Sequence, residues 1–496
     1  MIAHFFAQLP ALPVILPLLA APLCVLLRHA TLAWLTYCTV SLAVFGISLL
    51  LLVQVHVGIP ISYAMGGWAP PVGIELRVDT LNAFVLVLVS GIAAVLGPYT
   101  RASVAAELPA ERAYLFYALM LLTLCGLLGI TITGDAFNLF VFLEISSLSS
   151  YALIALGTKR RALLAAFQYL VMGTIGGTFL LIGIGLLYIM TGTLNMADLA
   201  ARLPAVADTR TVEAGLAFIV VGASLKLALF PLHAWLPDGY AYAPSAVSAF
   251  LAATATKVAA YVLIRFIFTV FGAVYAFGQL PLGEILALLA VAAMLYGSLA
   301  AIFASDVKRL LAWSSVAQIG YIVLGIALAT PEGLTAAILH MLNHGVIKGA
   351  LFCAAGALFW RLHRSDLASL AGAARAMPWT SAAFLAAGLG LIGVPATAGF
   401  ISKWYLLSAL FEAQQGWLAA VVLISSLMAV IYIGRVAELL YLRPAPDNVP
   451  APTEAPTAML AATWTLVLVN IGLGLHSAPV VDVVRSAAAG LTGGGA

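Results

Sequence analysis

Apolar runs of about twenty residues follow one another along nearly the whole chain, separated by short polar connections. At about 1.5 Å per residue, each run is long enough to cross a hydrocarbon layer of roughly 30 Å as a helix. About fourteen such segments are read, at 10–28, 31–54, 77–99, 112–132, 136–156, 162–190, 212–232, 243–272, 283–303, 309–330, 333–359, 379–409, 416–441 and 456–474. The pattern predicts an all-α polytopic membrane protein, and connections too short to fold by themselves predict a single transmembrane bundle over 1–474. YLRPAPDNVPAPTEAPT is too rich in proline and polar residues to span, which predicts an exposed linker over 442–457. The small-residue end, 475–496, predicts a flexible tail.

Composition sharpens this picture. With 64% hydrophobic and only 8% charged residues, the chain falls outside the range of soluble globular domains, and no soluble catalytic module is visible. A net charge of +3 with dispersed basic residues gives no footprint for nucleic acid. Cys24, Cys38, Cys125 and Cys353 are scattered without zinc or iron–sulfur spacing, so no metal or redox cofactor is expected on this chain. The first apolar segment lacks a positively charged leader, which predicts a retained helix. If the N-terminus is outside, the cytoplasmic connections hold Arg28, Arg101, Arg112, Lys159, Arg160, Arg161, Lys308, Arg309, Arg361, Arg364, Arg375 and Arg443. The opposite side holds only Arg77, Arg202, Arg210 and Arg485. This asymmetry predicts a multi-pass membrane protein with both termini non-cytoplasmic.

Six cations remain within or near the apolar spans: Lys226, Lys257, Arg265, Lys348, Lys403 and Arg435. Glu144 lies in the middle of FNLFVFLEISSLSSYALI. An ionisable group near the bilayer centre costs roughly 2.5–3.5 kcal/mol even on lenient insertion scales, so each needs a partner, water or a task. Arg265 and Arg435 fit snorkelling or structural pairing. Glu144 and Lys226 fit a static ion pair as well as a working one, although a static buried pair is a poor stabiliser. Lysine and histidine are informative because either can exchange a proton in a protein interior, whereas a guanidinium cannot. In LHMLNHGVIKGALF, His340, His344 and Lys348 are spaced four apart, a file of titratable groups about 6 Å per step. The same two histidines have the spacing of a metal pair, but the glutamate of HExxH is missing. Gly173 and Gly177 give the GxxxG spacing of close helix packing.

Two spans should be broken. KLALFPLHAWLPDGYAYAP places Pro231 and Pro237 after Lys226, and GLGLIGVPATAGFISKW places Gly393, Pro395 and Gly399 before Lys403. Matching breaks in two halves point to an inverted-repeat transporter with a hydrated cavity. The repeats are read at about 112–272 and 283–441, five helices each, with helices 7 and 12 broken.

FNLFVFLEISSLSSYAL, KLALFPLHAWLPDGYAYAPSAVSAFLAATATKVAAYVL, DVKRLLAWSSVAQIGY, HMLNHGVIKGALF and GVPATAGFISKW, in this order, resemble the antiporter-like subunits shared by respiratory complex I and Mrp-type cation/proton antiporters. TGTLNMADLA and GDAFNLFVFLE look most like the D-type subunit of the Mrp family, with membrane-bound hydrogenase subunits close behind. The resemblance covers about residues 70 to 440 and implies fourteen helices, two inverted five-helix repeats and a central axis of charge. It implies that Glu144 and Lys226 form the first pair and that Lys257 is the connecting lysine. It further implies that His340, His344 and Lys348 form a relay and that Lys403 is its terminal lysine. Many relatives have two adjacent prolines where this chain has Pro395 and Ala396, so a milder kink is expected there. Some carry a histidine where this chain reads Phe250, Leu251, Ala252 and Ala253.

The implied function is a proton-translocating, non-enzymatic subunit of a multi-subunit Na⁺(K⁺)/H⁺ antiporter, partnered by other membrane subunits. Two alternatives stay open: a proton-pumping membrane subunit of a complex I-like dehydrogenase or hydrogenase, and a non-transporting scaffold.

Overall fold

The computed structural model describes residues 8–278, 280–444 and 453–492. The first crossings are α1 (Leu12–Leu27), α2 (Ala30–Val57), α3 (Thr80–Glu107), α4 (Ala113–Ile132), α5 (Ala136–Ala155) and α6 (Arg161–Thr191). The seventh crossing consists of two pieces, α7 (Arg210–Leu227) and α8 (Trp235–Tyr242). It is followed by α9 (Ser245–Ile264), α10 (Leu282–Phe303), α11 (Val307–Ala327) and α12 (Pro331–Leu362). The twelfth is again two pieces, α13 (Pro378–Ile392) and α14 (Ala398–Glu412), before α15 (Gly416–Tyr441) and α16 (Thr457–Leu475). With each broken helix counted once, the described residues make fourteen crossings.

The two halves pair their helices alike. α4 packs on α5 as α10 packs on α11, α6 on α7 as α12 on α13 and α14, and α9 and α15 close their own units on α4 and α10. Five crossings is an odd number, so a second copy in tandem must enter the membrane from the opposite face. That is why the repeat is inverted.

α12 lies at the centre, packed against α3, α9, α11, α13, α14 and α16. Small residues allow the crowding: a side chain on Gly345 would meet the Ala253 carbonyl of α9 at 2.8 Å. The outer helices, α2, α6 and α15 among them, turn large apolar side chains such as Leu50, Phe167 and Leu427 outward, as a lipid solvent allows.

Two expectations change. A two-stranded antiparallel hairpin, β1 (Ile61–Ala64) with β2 (Glu75–Val78), interrupts the helices between α2 and α3. It sits where glycine and proline rule out a helix, and it returns Glu75 to bond Ser62 and Asn195. The end of the chain, expected as a flexible tail from 475, forms α17 (Ala478–Thr492). Val481, Val484, Ala487 and Ala488 are buried on its inner face, spaced three and four apart, so it lies against α12 and α3. Part of the expected linker and the last four residues lie outside the described residues. The twelfth crossing is broken as expected, with Gly393 and Ala396 both at positive φ, 91° and 69°.

Candidate functional site

In the first half, Lys226 occupies the last turn of α7 and is buried. Its Nζ donates to Ser147 Oγ at 2.8 Å and Tyr151 OH at 3.5 Å, and lies 3.8 Å from Glu144 Oε1. Ser147 and Tyr151 follow Glu144 at three and seven residues, so one face of α5 presents all three to the lysine. The glycines of α6 make room for that face. A Cβ on Gly177 would meet Glu144 Oε1 at 2.4 Å, and one on Gly173 would meet the Tyr151 hydroxyl at 1.9 Å. The GxxxG pair is therefore close packing whose occupants are the polar groups themselves.

A cavity of about 40 Å³ separates this group from α9. Ser146, Ser147, Ser150, Tyr169 and Lys226 line it on one side, and Ala255, Val258 and Ala259 on the other. A water needs roughly 10–15 Å³ of such space and two or more polar partners, both of which this cavity offers.

On α9, Lys257 is fully buried and donates to the Ala252 carbonyl and to Thr256 Oγ1, the latter at 3.3 Å. It faces α12, where it lies within electrostatic range of both His344 and Lys348. Lys348 donates to the Leu311 carbonyl at 2.7 Å and to Ser314 Oγ of α11. The ring of His344 stacks on that of His340, with centroids 5.9 Å apart and planes 13° apart. Neither ring nitrogen of His344 has a hydrogen-bond partner among the described residues. His340 is held at both ends, Nε2 to Gln318 Oε1 at 3.0 Å and Nδ1 to Ser402 Oγ at 2.9 Å, and its ring stacks on Tyr321.

Lys403 ends the row. Its Nζ donates to the Leu391 and Ile392 carbonyls at 3.0 and 2.8 Å and to Ser426 Oγ at 3.0 Å, and stands 4.9 Å over the Tyr321 ring. Leu391 and Ile392 end α13, so the ammonium satisfies carbonyls that the break orphans. At the first break the Leu225 carbonyl accepts both the Ala228 amide at 3.2 Å and Trp235 Nε1 of α8 at 3.0 Å. The two breaks thus are not copies. Lys226 precedes its break and faces a carboxylate, while Lys403 follows its break and caps the preceding half-helix. Among the described residues, no carboxylate lies within 4.0 Å of Lys257, Lys348 or Lys403. No cluster with a metal's ligand set occurs among them either.

Sequence reasoning missed the hydroxyls and amide that α11 places between the charges. Ser314, Gln318 and Tyr321 recur at four and three residues within SSVAQIGY, a polar stripe that the pattern could have revealed. It also placed Lys308 in a connection. Lys308 is buried, donates to Ser245 Oγ at 2.8 Å, and shares that residue with Glu107, whose carboxylate accepts the Ser245 amide at 3.0 Å. Arg435 caps the Ile302 and Ala304 carbonyls at the end of α10, and Arg265 pairs with Asp79 at 2.8 Å, both as structural readings allow.

Residues 133–429 match the family described as NADH:quinone oxidoreductase/Mrp antiporter, transmembrane. The chain is 44% identical to the N-type subunit of NADH-quinone oxidoreductase of Desulforudis audaxviator, across 96% of this chain and 98% of that one. It is 30% identical to the D-type subunit of the Na⁺/H⁺ antiporter of Alkalihalophilus pseudofirmus, across 85% and 84%. Among solved structures, a chain of the Mrp complex from Dietzia superposes with a TM-score of 0.89 at 27% identity, covering 99% of this chain and 98% of that one.

Proposed function

Because this chain belongs to the NADH:quinone oxidoreductase/Mrp antiporter transmembrane family, we propose that its buried bases carry protons sideways through the bundle as one subunit of a multi-subunit membrane complex. Protons load Lys226 and then Lys257, cross to the His344 and Lys348 pair on α12, and pass through His340 to Lys403. One observation carries this reading: a row of amines and imidazoles at the bundle centre has hydroxyl, carbonyl and ring partners but, among the described residues, no carboxylate beyond Glu144. Static structure would favour full pairing there, because an unpaired buried charge is costly. A group that alternates between charge states must instead be satisfied in both.

Glu144 sets the first step. At a separation near 4 Å and an effective dielectric near 20, opposite charges attract by about 4 kcal/mol, enough to decide whether the lysine keeps its proton. Widening the Glu144–Lys226 pair releases that proton toward the cavity below α9. The hydroxyls of Ser147, Ser402 and Ser426 meet Lys226, His340 and Lys403 in turn without holding charge of their own.

Cation/proton exchange is the driven process we assign, supported by the Na⁺/H⁺ antiporter relative and by the fit to an Mrp complex chain. A redox-driven pump is the second reading, supported by the 44% identity to a chain of NADH-quinone oxidoreductase. Under that reading electrons would pass through other subunits. The sparse-cation face, with both termini, is assigned to the outside. Lys226→Ala and Lys403→Ala in the assembled complex test the route by pH-gradient formation in everted vesicles; full gradients in both variants would remove it. The same vesicles separate the two drivers, since exchange follows added Na⁺ or K⁺ and a redox pump follows added quinone and reductant.

A further inference from the structure

An opening near the axis that the route above does not use lies at the sparse-cation end of α9. It is a vestibule of about 520 Å³, lined by His56, Arg77, Asp79, Tyr261, Arg265 and, from the terminal helix α17, Ser486. Its floor lies close to Lys257: Tyr261 is one helical turn beyond the lysine and Arg265 two turns, about 12 Å along the axis. An open path from this vestibule to Lys257 would let protons bypass the sideways route.

A hydrogen-bonded network lines the floor. Arg265 Nη1 and Nη2 bind Asp79 at 2.8 and 3.0 Å, Nη1 also reaches Thr269 Oγ1 at 3.3 Å, and Nε donates to the Tyr261 hydroxyl at 3.1 Å. That hydroxyl donates onward to the Thr131 carbonyl at 2.8 Å. Both functions of the phenol are thus committed, and a guanidinium does not give up a proton, so no hop can cross the cluster. Burial works to raise the Asp79 carboxyl, but the Arg265 guanidinium, with the Asn82 amide and Arg77, holds it below the usual carboxylate range. Lys257 points the other way, toward the Ala252 carbonyl and away from the vestibule. The chain at Arg265–Val270 winds as a wide π-helical turn, a local departure that sets Arg265 and Thr269 around the carboxylate.

We infer that Arg265, Asp79 and Tyr261 form a plug that seals the vestibule from Lys257, so that a proton on Lys257 can leave only sideways toward α12. The inference rests on the proton route proposed above. Arg265 and Asp79 are positioning residues in it, acting by what they block.

The test is passive proton leak across vesicles carrying the whole complex, under an imposed pH gradient with no driving cation or reductant. The double variant Arg265→Leu with Asp79→Leu removes both charges together, which avoids leaving one buried and alone. Per assembled complex, its leak is expected to rise on the order of tenfold, as a barrier lower by about 1.4 kcal/mol gives. Tyr261→Phe keeps the packing and frees the Thr131 carbonyl; a smaller rise is expected there, and it serves as the measure if the double variant does not assemble. Adding Lys257→Ala to the leaking variant should abolish the leak. Unchanged leak in the variants that assemble overturns the plug, as does a leak that survives loss of Lys257. Lys226→Ala and Lys403→Ala, read for driven transport in the same vesicles, keep the two failures apart. If they lose driven transport while the plug variants stay tight, only the plug falls.

Discussion

Lysine and arginine divide the work at the residue scale. Arg265 and Arg435, which keep their charge, are tied to a carboxylate and to helix-end carbonyls. Lys257, Lys348 and Lys403 are held by neutral oxygens that accept from a charged or a neutral amine alike. The exception is Lys226, and its carboxylate is placed by a missing side chain. A Cβ at Gly177 would lie 2.4 Å from Glu144 Oε1, so Gly177→Ala must push the carboxylate aside by about 1 Å to reach ordinary contact. From 3.8 Å, that retreat weakens the Lys226 interaction by about 1 kcal/mol at an effective dielectric near 20. Driven transport is expected to fall about fivefold with assembly intact. Glu144→Gln supplies the check: if Gly177→Ala acts through the carboxylate, it should do nothing further in that background. An equal fall in both backgrounds would assign the glycine to packing alone.

The breaks belong to the scale of the element. Each leaves helix-end carbonyls inside the membrane, where each unsatisfied group is costly; Lys403 takes up those of the second break, whereas at the first Trp235 joins the Ala228 amide on a carbonyl already bonded. The repair by Lys403 depends on Gly393. Its φ of 91° suits glycine, and a Cβ there would stand 2.9 Å from Lys403 Cδ. Gly393→Ala therefore strains the backbone and displaces the lysine together, at a cost of about 1–3 kcal/mol for the backbone alone. Reduced assembly is expected, with transport per assembled complex lower still; unchanged transport would show that Lys403 need not cap α13. Much of this was legible in the chain. Proline and glycine beside a buried lysine located both breaks, because those residues act on their own backbone. Their inequivalence was not legible, since which side chain repairs an orphan carbonyl is decided by a turn of coil that pattern cannot place. The helical end at Ala478–Thr492 was missed for a related reason: alanine and glycine read as loose chain until Val481 and Val484 find α12 and α3 to cover.

For the whole molecule, the consequence of an inverted repeat is that the proposed path must cross from one half to the other. Glu144 and Lys226 belong to one unit, His340 to Lys403 to the other, and α9 against α12 is the seam between them. His344 stands at that seam, stacked on His340 and within electrostatic range of both Lys257 and Lys348. Its unpartnered nitrogens make it the group with least to hold it in one state. If the route is a single series, interrupting it twice should cost no more than interrupting it once. His344→Ala is expected to lower driven transport on the order of tenfold at unchanged protein level, and Lys403→Ala to lower it at least as far. The double variant should then match the more severe single, because residues acting as one unit are non-additive. Effects that multiply in the double variant would instead mean two parallel paths, one through each half, and the seam would be only a packing surface.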